Sequence, residues 1–425
     1  MRILVFSVAI FVSLVATSLG QTASEMKTAG DAERAANSAY RAKNFLLFLQ
    51  QMETANRNRL NHPRLIYNLG VAYAINGRTD EALASLDRLT KMGLAYAFEK
   101  DEDLASLHDD ERFKKIVAAS TANRTPINAS TRVLELHDKT MIAESVAFDP
   151  KTKQHFIGSI LKRKILSVDS KGVESDFSSA SDGLYAVYGM KVDAKRCVLW
   201  VASSAVPPMI GFTEADKGRA AIFKYDLRSR KLLQKFTTPA GEQHVLGDLW
   251  IDSAGNVYAT DSISPNIYRI DAAKNTMELF ITSDLFASIQ GITEGNKPNN
   301  IYVADYAKGF FRIDLATKAI TQLKPDANVT LLGTDGLYFH KGKLIAIQNG
   351  INPNRVAAYT IDGDRVTATT VLEANHTAFP EPTLGYVDGD ELVYVVNSPE
   401  PQGNEKAGQT DKLRNPLVLR VSLKR

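Results

Sequence analysis

Only one of the 425 residues is a cysteine, Cys197, so no intramolecular disulfide can form. Cys197 opens the apolar run Cys197–Ala202 and reads as a buried small hydrophobe. No cysteine pair and no close histidine pair occurs, which leaves out the zinc signatures. No Gly-x-Ser-x-Gly elbow occurs either, which argues against an α/β-hydrolase. Excess charge is also missing. The chain has 51 Lys and Arg against 48 Asp and Glu, a net +3, and so no electrostatic reason to bind nucleic acid.

What is present begins with an apolar N-terminus. Arg2 is followed by Ile3–Leu19, nearly all apolar or small, and Ser18-Leu19-Gly20 offers small residues for cleavage near Gln21. We read residues 1–20 as a signal peptide and expect a secreted or periplasmic protein that leaves the membrane once cleaved. An uncleaved anchor is the alternative, because the run is nearly long enough to span a bilayer. Glycosylation triplets stand at Asn123, Asn128, Asn328 and Asn375 and matter only in a host that uses them.

Residues 25–120 are poor in Pro and Gly and rich in Ala, Leu, Glu and Lys, which predicts helices. Gly70, Tyr73, Ala82, Leu86 and Leu89 follow the tetratricopeptide spacing, and a looser copy runs from Ala36 to Met52. A third helical stretch, Asp103–Val117, closes this unit. Two repeats are fewer than such arrays need alone, so the unit is expected to pack on its neighbour or on another copy. It is either a groove for a protein partner or a helical cap. A polar stretch, 121–131, reads as a linker.

From 132 to 425 one pattern recurs six times. Its third strand shows it best, in Lys164–Asp169, Ile222–Asp226, Ile267–Asp271, Phe310–Asp314, Val356–Thr360 and Val418–Val421. A long all-strand repeat of this kind predicts a six-bladed β-propeller, so the fold class is mainly β with an N-terminal helical domain. Arg132–His137 can pair beside Leu417–Leu423 and close the ring. We place the inner strands at Glu144, Gly189, Gly247, Gln290, Asp335 and Thr383, with Ala205–Arg219 as an insertion and candidate lid.

The starts of inner strands face one another at one mouth of the channel. Glu144, Gln290 and Asp335 would bring oxygen donors there, with Asp248 one position beyond its marker, a set suited to a hard divalent cation. His244 precedes Gly247 by three residues and is a candidate base or substrate contact. Polar ends of the second strands, such as Asp261, Asp305 and Gln348-Asn349, are expected to satisfy turn backbone.

Glu144–Asp149, Gly247–Ser262, Gln290–Thr293 and Thr334–Leu337 resemble the inner-strand motifs of the gluconolactonase / senescence marker protein family. The resemblance covers about 280 residues and is strongest at 246–262. It implies a six-bladed propeller holding a divalent metal, calcium in our reading, that polarises a lactone or ester carbonyl. Residue by residue, Glu144 and Asp335 match the family's Glu and Asp ligands and become the candidate catalytic acids. Gly247 and Gln290 stand where the family has Asn, so Asp248 or water must complete the shell. The expected function is therefore a metal-dependent lactonase or esterase acting on a small molecule in the channel. The alternative is a non-enzymatic binding propeller whose helical repeats recruit a partner.

Overall fold

The structure is a computed structural model that describes residues 21–379, 381–398 and 413–424. The candidate signal segment 1–20 lies outside the described residues. No helix among the described residues is long and apolar enough to cross a membrane.

The helical unit is built from α1 (Ala23–Arg41), α2 (Phe45–Arg57), α3 (Pro63–Ile75), α4 (Thr79–Lys91) and α5 (Glu111–Ala122). Thr22 accepts from the Glu25 N–H while Glu25 accepts from the Thr22 N–H, so α1 starts on a reciprocal cap. Pro63 opens α3 in the first turn, where its missing N–H costs no helix bond. A Cβ on Gly70 would stand 2.9 Å from Leu86 Cδ2, so glycine is what lets α3 and α4 cross this closely. The stretch expected as a third helix is broken. Short 3-10 turns at Phe98–Lys100 and Glu102–Leu107 precede α5. Tyr40 and Tyr67 donate to Asp103 and Asp101, and the Tyr67 ring stacks on Phe98. The chain's own 96–107 segment therefore covers this face of α1 and α3.

Six sheets follow, antiparallel but for one short parallel pair at the outer edge of the fifth. The inner strands are Ala143–Asp149, Ala186–Asp193, Leu246–Ile251, Ile289–Glu294, Thr334–His340 and Gly385–Asp388. In blades one to four the aspartate that ends the third strand accepts N–H groups of the next turn: Asp169, Asp226, Asp271 and Asp314. Those backbone N–H groups, more than any other contact, hold the four carboxyls below the usual range. The repeated motif is thus a turn device. Thr131–Glu135 pairs antiparallel with Leu417–Ser422, so both ends of the propeller share blade six and the ring has no open edge there. Cys197 stands one residue before the strand Val198–Ser204, half-buried in a left-handed turn at φ 58°, not inside the strand.

The helical unit docks on blades four and five. Asn61 Nδ2 donates to Asp326 O at 2.8 Å and Val329 O at 2.7 Å. Arg355 is fully buried and donates to Met92 O (2.7 Å) and Gln348 Oε1 (2.8 Å). Ala95 and Asn352 exchange two bonds, and Ile351 packs into the helical core. Apart from Arg355, which opens the third strand of blade five, these propeller groups sit in loops entering that blade's inner strand and leaving its second strand. The unit therefore braces the mouth side of the propeller. Residues 121–131 are not a free tether: α5 runs to Ala122, and Ile127 bridges to Ala374.

Candidate functional site

Five of the inner strands carry the same irregularity near their start. Ala143 and Val146 pair with Ser159 and Ile157, so Glu144 and Ser145 together oppose one residue. The same two-against-one step occurs at Tyr188-Gly189, Gly247-Asp248, Gln290-Gly291 and Asp335-Gly336. Each is a β-bulge, which re-aims side chains and ends regular pairing. The first bulge residue of every such blade lines one cavity of about 500 Å³ at the mouth. Leu384 completes the ring from blade six.

This corrects two of our markers by one residue. The cavity-lining positions are Tyr188 rather than Gly189, and Leu384 rather than Thr383. Thr383 instead donates to the Glu144 carbonyl at 2.7 Å and ties blade six to blade one.

Glu144, Gln290 and Asp335 do meet in this cavity. Ser398 Oγ donates to Glu144 Oε2 at 2.8 Å, and Asn349 Nδ2 donates to Asp335 Oδ2 at 2.9 Å. Asn349 also donates to Pro382 O and accepts from the Tyr306 hydroxyl, so it is fixed on three sides. Gln290 Oε1 accepts from Ser262 Oγ at 2.9 Å, and its amide nitrogen donates to Ser288 Oγ. A Cβ on Gly247 would lie 2.8 Å from Ser262 Oγ and 3.4 Å from Gln290 Oε1. The close neighbour of a side chain at 247 is thus Ser262, which Gln290 holds in place, while Gln290 itself stands at ordinary contact distance.

Asp248 and His244 do not line the cavity. Asp248, the second bulge residue, is 1% exposed and turns down the channel. The Lys191 ammonium stands 2.8 Å from its Oδ1, at ion-pair distance, yet neither carboxylate oxygen receives a hydrogen bond. His244 is fully buried, with Nδ1 2.7 Å from Asp261 Oδ2. Asp261 also accepts from the Val245, Ile263 and Ser264 N–H groups, so the pair shapes the loop into blade three. The expected lid, Ala205–Arg219, is pinned: Met209 is buried and the Ile210 N–H donates to Leu161 O. Only its Val206 lines the cavity.

Sequence reading missed Tyr188, Tyr306, Asn349, Glu381 and Leu384 as cavity residues. Asn349 had been assigned with the turn-satisfying strand ends, a role that Asp261 and Asp305 do fill. Among the described residues no group of three or more His, Cys, Asp or Glu stands close enough to share a metal ion.

Among solved structures several align with the chain at low identity. A gluconolactonase from Xanthomonas campestris aligns at 13% identity over 71% of this chain and 92% of its own, with a TM-score of 0.49. An aldose sugar dehydrogenase from Streptomyces coelicolor aligns at 13% over 70% and 99%, TM-score 0.47. Virginiamycin B lyase from Staphylococcus aureus aligns at 13% over 68% and 83%, TM-score 0.48. By name these are a lactonase, a dehydrogenase and a lyase, so likeness at this level does not select a chemistry. No protein-family model matches the chain, and no curated protein matches it.

Proposed function

We propose that the mouth cavity hydrolyses a lactone or related ester in a secreted or periplasmic protein. One observation carries this reading: Glu144, Gln290 and Asp335, from three different blades, project from bulges into a single cavity of about 500 Å³. Asp335 takes the proton of a water, whose oxygen attacks the carbonyl carbon. The ring C–O bond then breaks, and the proton passes to the departing alkoxide to leave a hydroxy acid. Asn349 orients the Asp335 carboxylate, and Ser398 orients Glu144.

The donors in this cavity are carboxylate and amide oxygens without imidazole or thiol, which suits calcium better than zinc. Glu144, Asp335 and the Gln290 amide oxygen would hold such an ion, with water completing the shell. When bound, it would polarise the substrate carbonyl.

A second reading, a binding propeller without turnover, draws on blade three. Gly247 offers no side chain there, and Asp248 is committed to Lys191. A panel of lactones assayed with and without calcium separates the two. Under the hydrolase reading, Asp335→Asn lowers kcat by about 100- to 10,000-fold. Undiminished turnover in that variant would remove Asp335 from the mechanism. Ligand binding with no turnover by the wild-type chain would favour the second reading.

A further inference from the structure

The mouth cavity is polar at its floor, and its lip mixes apolar and polar side chains. The floor residues Glu144, Gln290 and Asp335 come from the bulges. The lip is made by loops that leave the second strands, and over blades two to four it carries Val206, Ser262, Ile263 and Tyr306, with the Ser262 and Tyr306 hydroxyls donating to Gln290 and Asn349. Ile263 is 52% exposed and Tyr306 36%. A single exposed isoleucine means little, but apolar side chains gathered around one cavity mark a binding surface. The turns do not require them. Asp261 and Asp305 already bond the turn N–H groups, leaving the lip positions open to other use. Over blades five and six the rim is polar, occupied by Asn349 and Glu381. Tyr188 and Leu384 extend the apolar wall down to the floor.

We propose that the substrate carries an aliphatic tail, which lies over blades two to four while its lactone or ester group meets the floor. Over Val206 and Ile263 the hydroxyls of a sugar lactone would lose water without new partners, whereas methylenes would not. The proposal rests on the hydrolase reading for the reacting group, and on the lip alone for the tail.

The test is a series of δ-lactones with tails from methyl to hexyl, with glucono-δ-lactone beside them, followed by turnover and, separately, by calorimetric binding. We expect kcat/KM to rise about fourfold for each of the first few methylenes. Ile263→Ser, at an exposed position whose melting can be checked directly, should flatten that rise. Turnover that ignores tail length, or that prefers the sugar lactone, overturns the tail and leaves the hydrolase intact. Affinity that grows with tail length without any turnover supports the lip and overturns the hydrolase. Neither turnover nor tail-dependent binding overturns both.

Discussion

At the mouth of the channel a cavity of about 500 Å³ is floored by Glu144, Gln290 and Asp335. At the other end a cavity of about 260 Å³ is walled by Lys191, Trp250, Tyr338, Phe339 and Tyr386. The same inner strands build both. Between them the second bulge residues are Ser145, Gly189, Asp248, Gly291 and Gly336, so the waist is lined mostly by glycine and crossed by the Asp248–Lys191 pair. Burial, then the Asp248 charge, pushes the Tyr338 hydroxyl well up, and it accepts from the Gly385 N–H at 2.7 Å. The comparison teaches that one step along a bulge separates a carboxylate available to solvent chemistry from one committed to structure.

The largest stability effect should come from the waist. Asp248→Ala strands the Lys191 ammonium in the channel and should cost about 3 kcal/mol in urea unfolding. A change below about 1 kcal/mol would mean that the pair does not hold the two ends apart. Next comes Gly189→Ala. Its Cβ would lie 2.6 Å from Gly247 O and 2.9 Å from Asp248 Oδ1, and we expect about 2 kcal/mol of destabilisation.

The lower end should respond to acid. Burial pushes His155 down to about 4 from its ordinary 6.5, and its Nε2 lies 3.0 Å from the Tyr386 hydroxyl. The folded state resists protonation that the unfolded chain accepts, so stability is full above pH 6.5 and falls as pH drops toward 4. His62, pushed by burial down to about 3, acts in the same sense. Melting temperature measured across this range should fall, and less steeply in His155→Phe. An identical slope in the variant would assign the effect elsewhere.

The smallest stability effect belongs to the mouth. Asp335→Asn should change unfolding by less than about 1 kcal/mol even as it removes most activity. A large loss of stability there would erase the distinction between the two ends.

Much of this architecture was legible in the chain. The third-strand motif ending in Asp marks turns whose carboxylates bond the next few N–H groups, a local device that repeats visibly. Gly70 and Leu86 announced a close helix crossing for the same reason. The bulges were not legible. Two residues facing the channel in succession look, in sequence, like ordinary alternation, and a single-residue slip changes the face of every side chain. That is why Gly189 was read for Tyr188 and Asp248 was counted with the mouth; in blade six, which has no such bulge, Thr383 was read for Leu384, whereas Thr383 bonds across to blade one. His244 and Asn349 show the same limit in opposite directions. The first was read toward the cavity and is buried against Asp261, while the second was read as turn filler and orients Asp335.

By itself the sequence determined the helical unit, the six blades, the closing strand and the general level at which the cavity opens. Each rests on short-range periodicity and turn chemistry, which neighbouring residues settle among themselves. Only the tertiary structure decided that the helical unit braces blades four and five, that Ser262 and Gln290 meet beside Gly247, and that Asp248 belongs to Lys191. Those outcomes depend on bulge register and on side chains meeting across blades, where no local pattern reports which partner lies opposite.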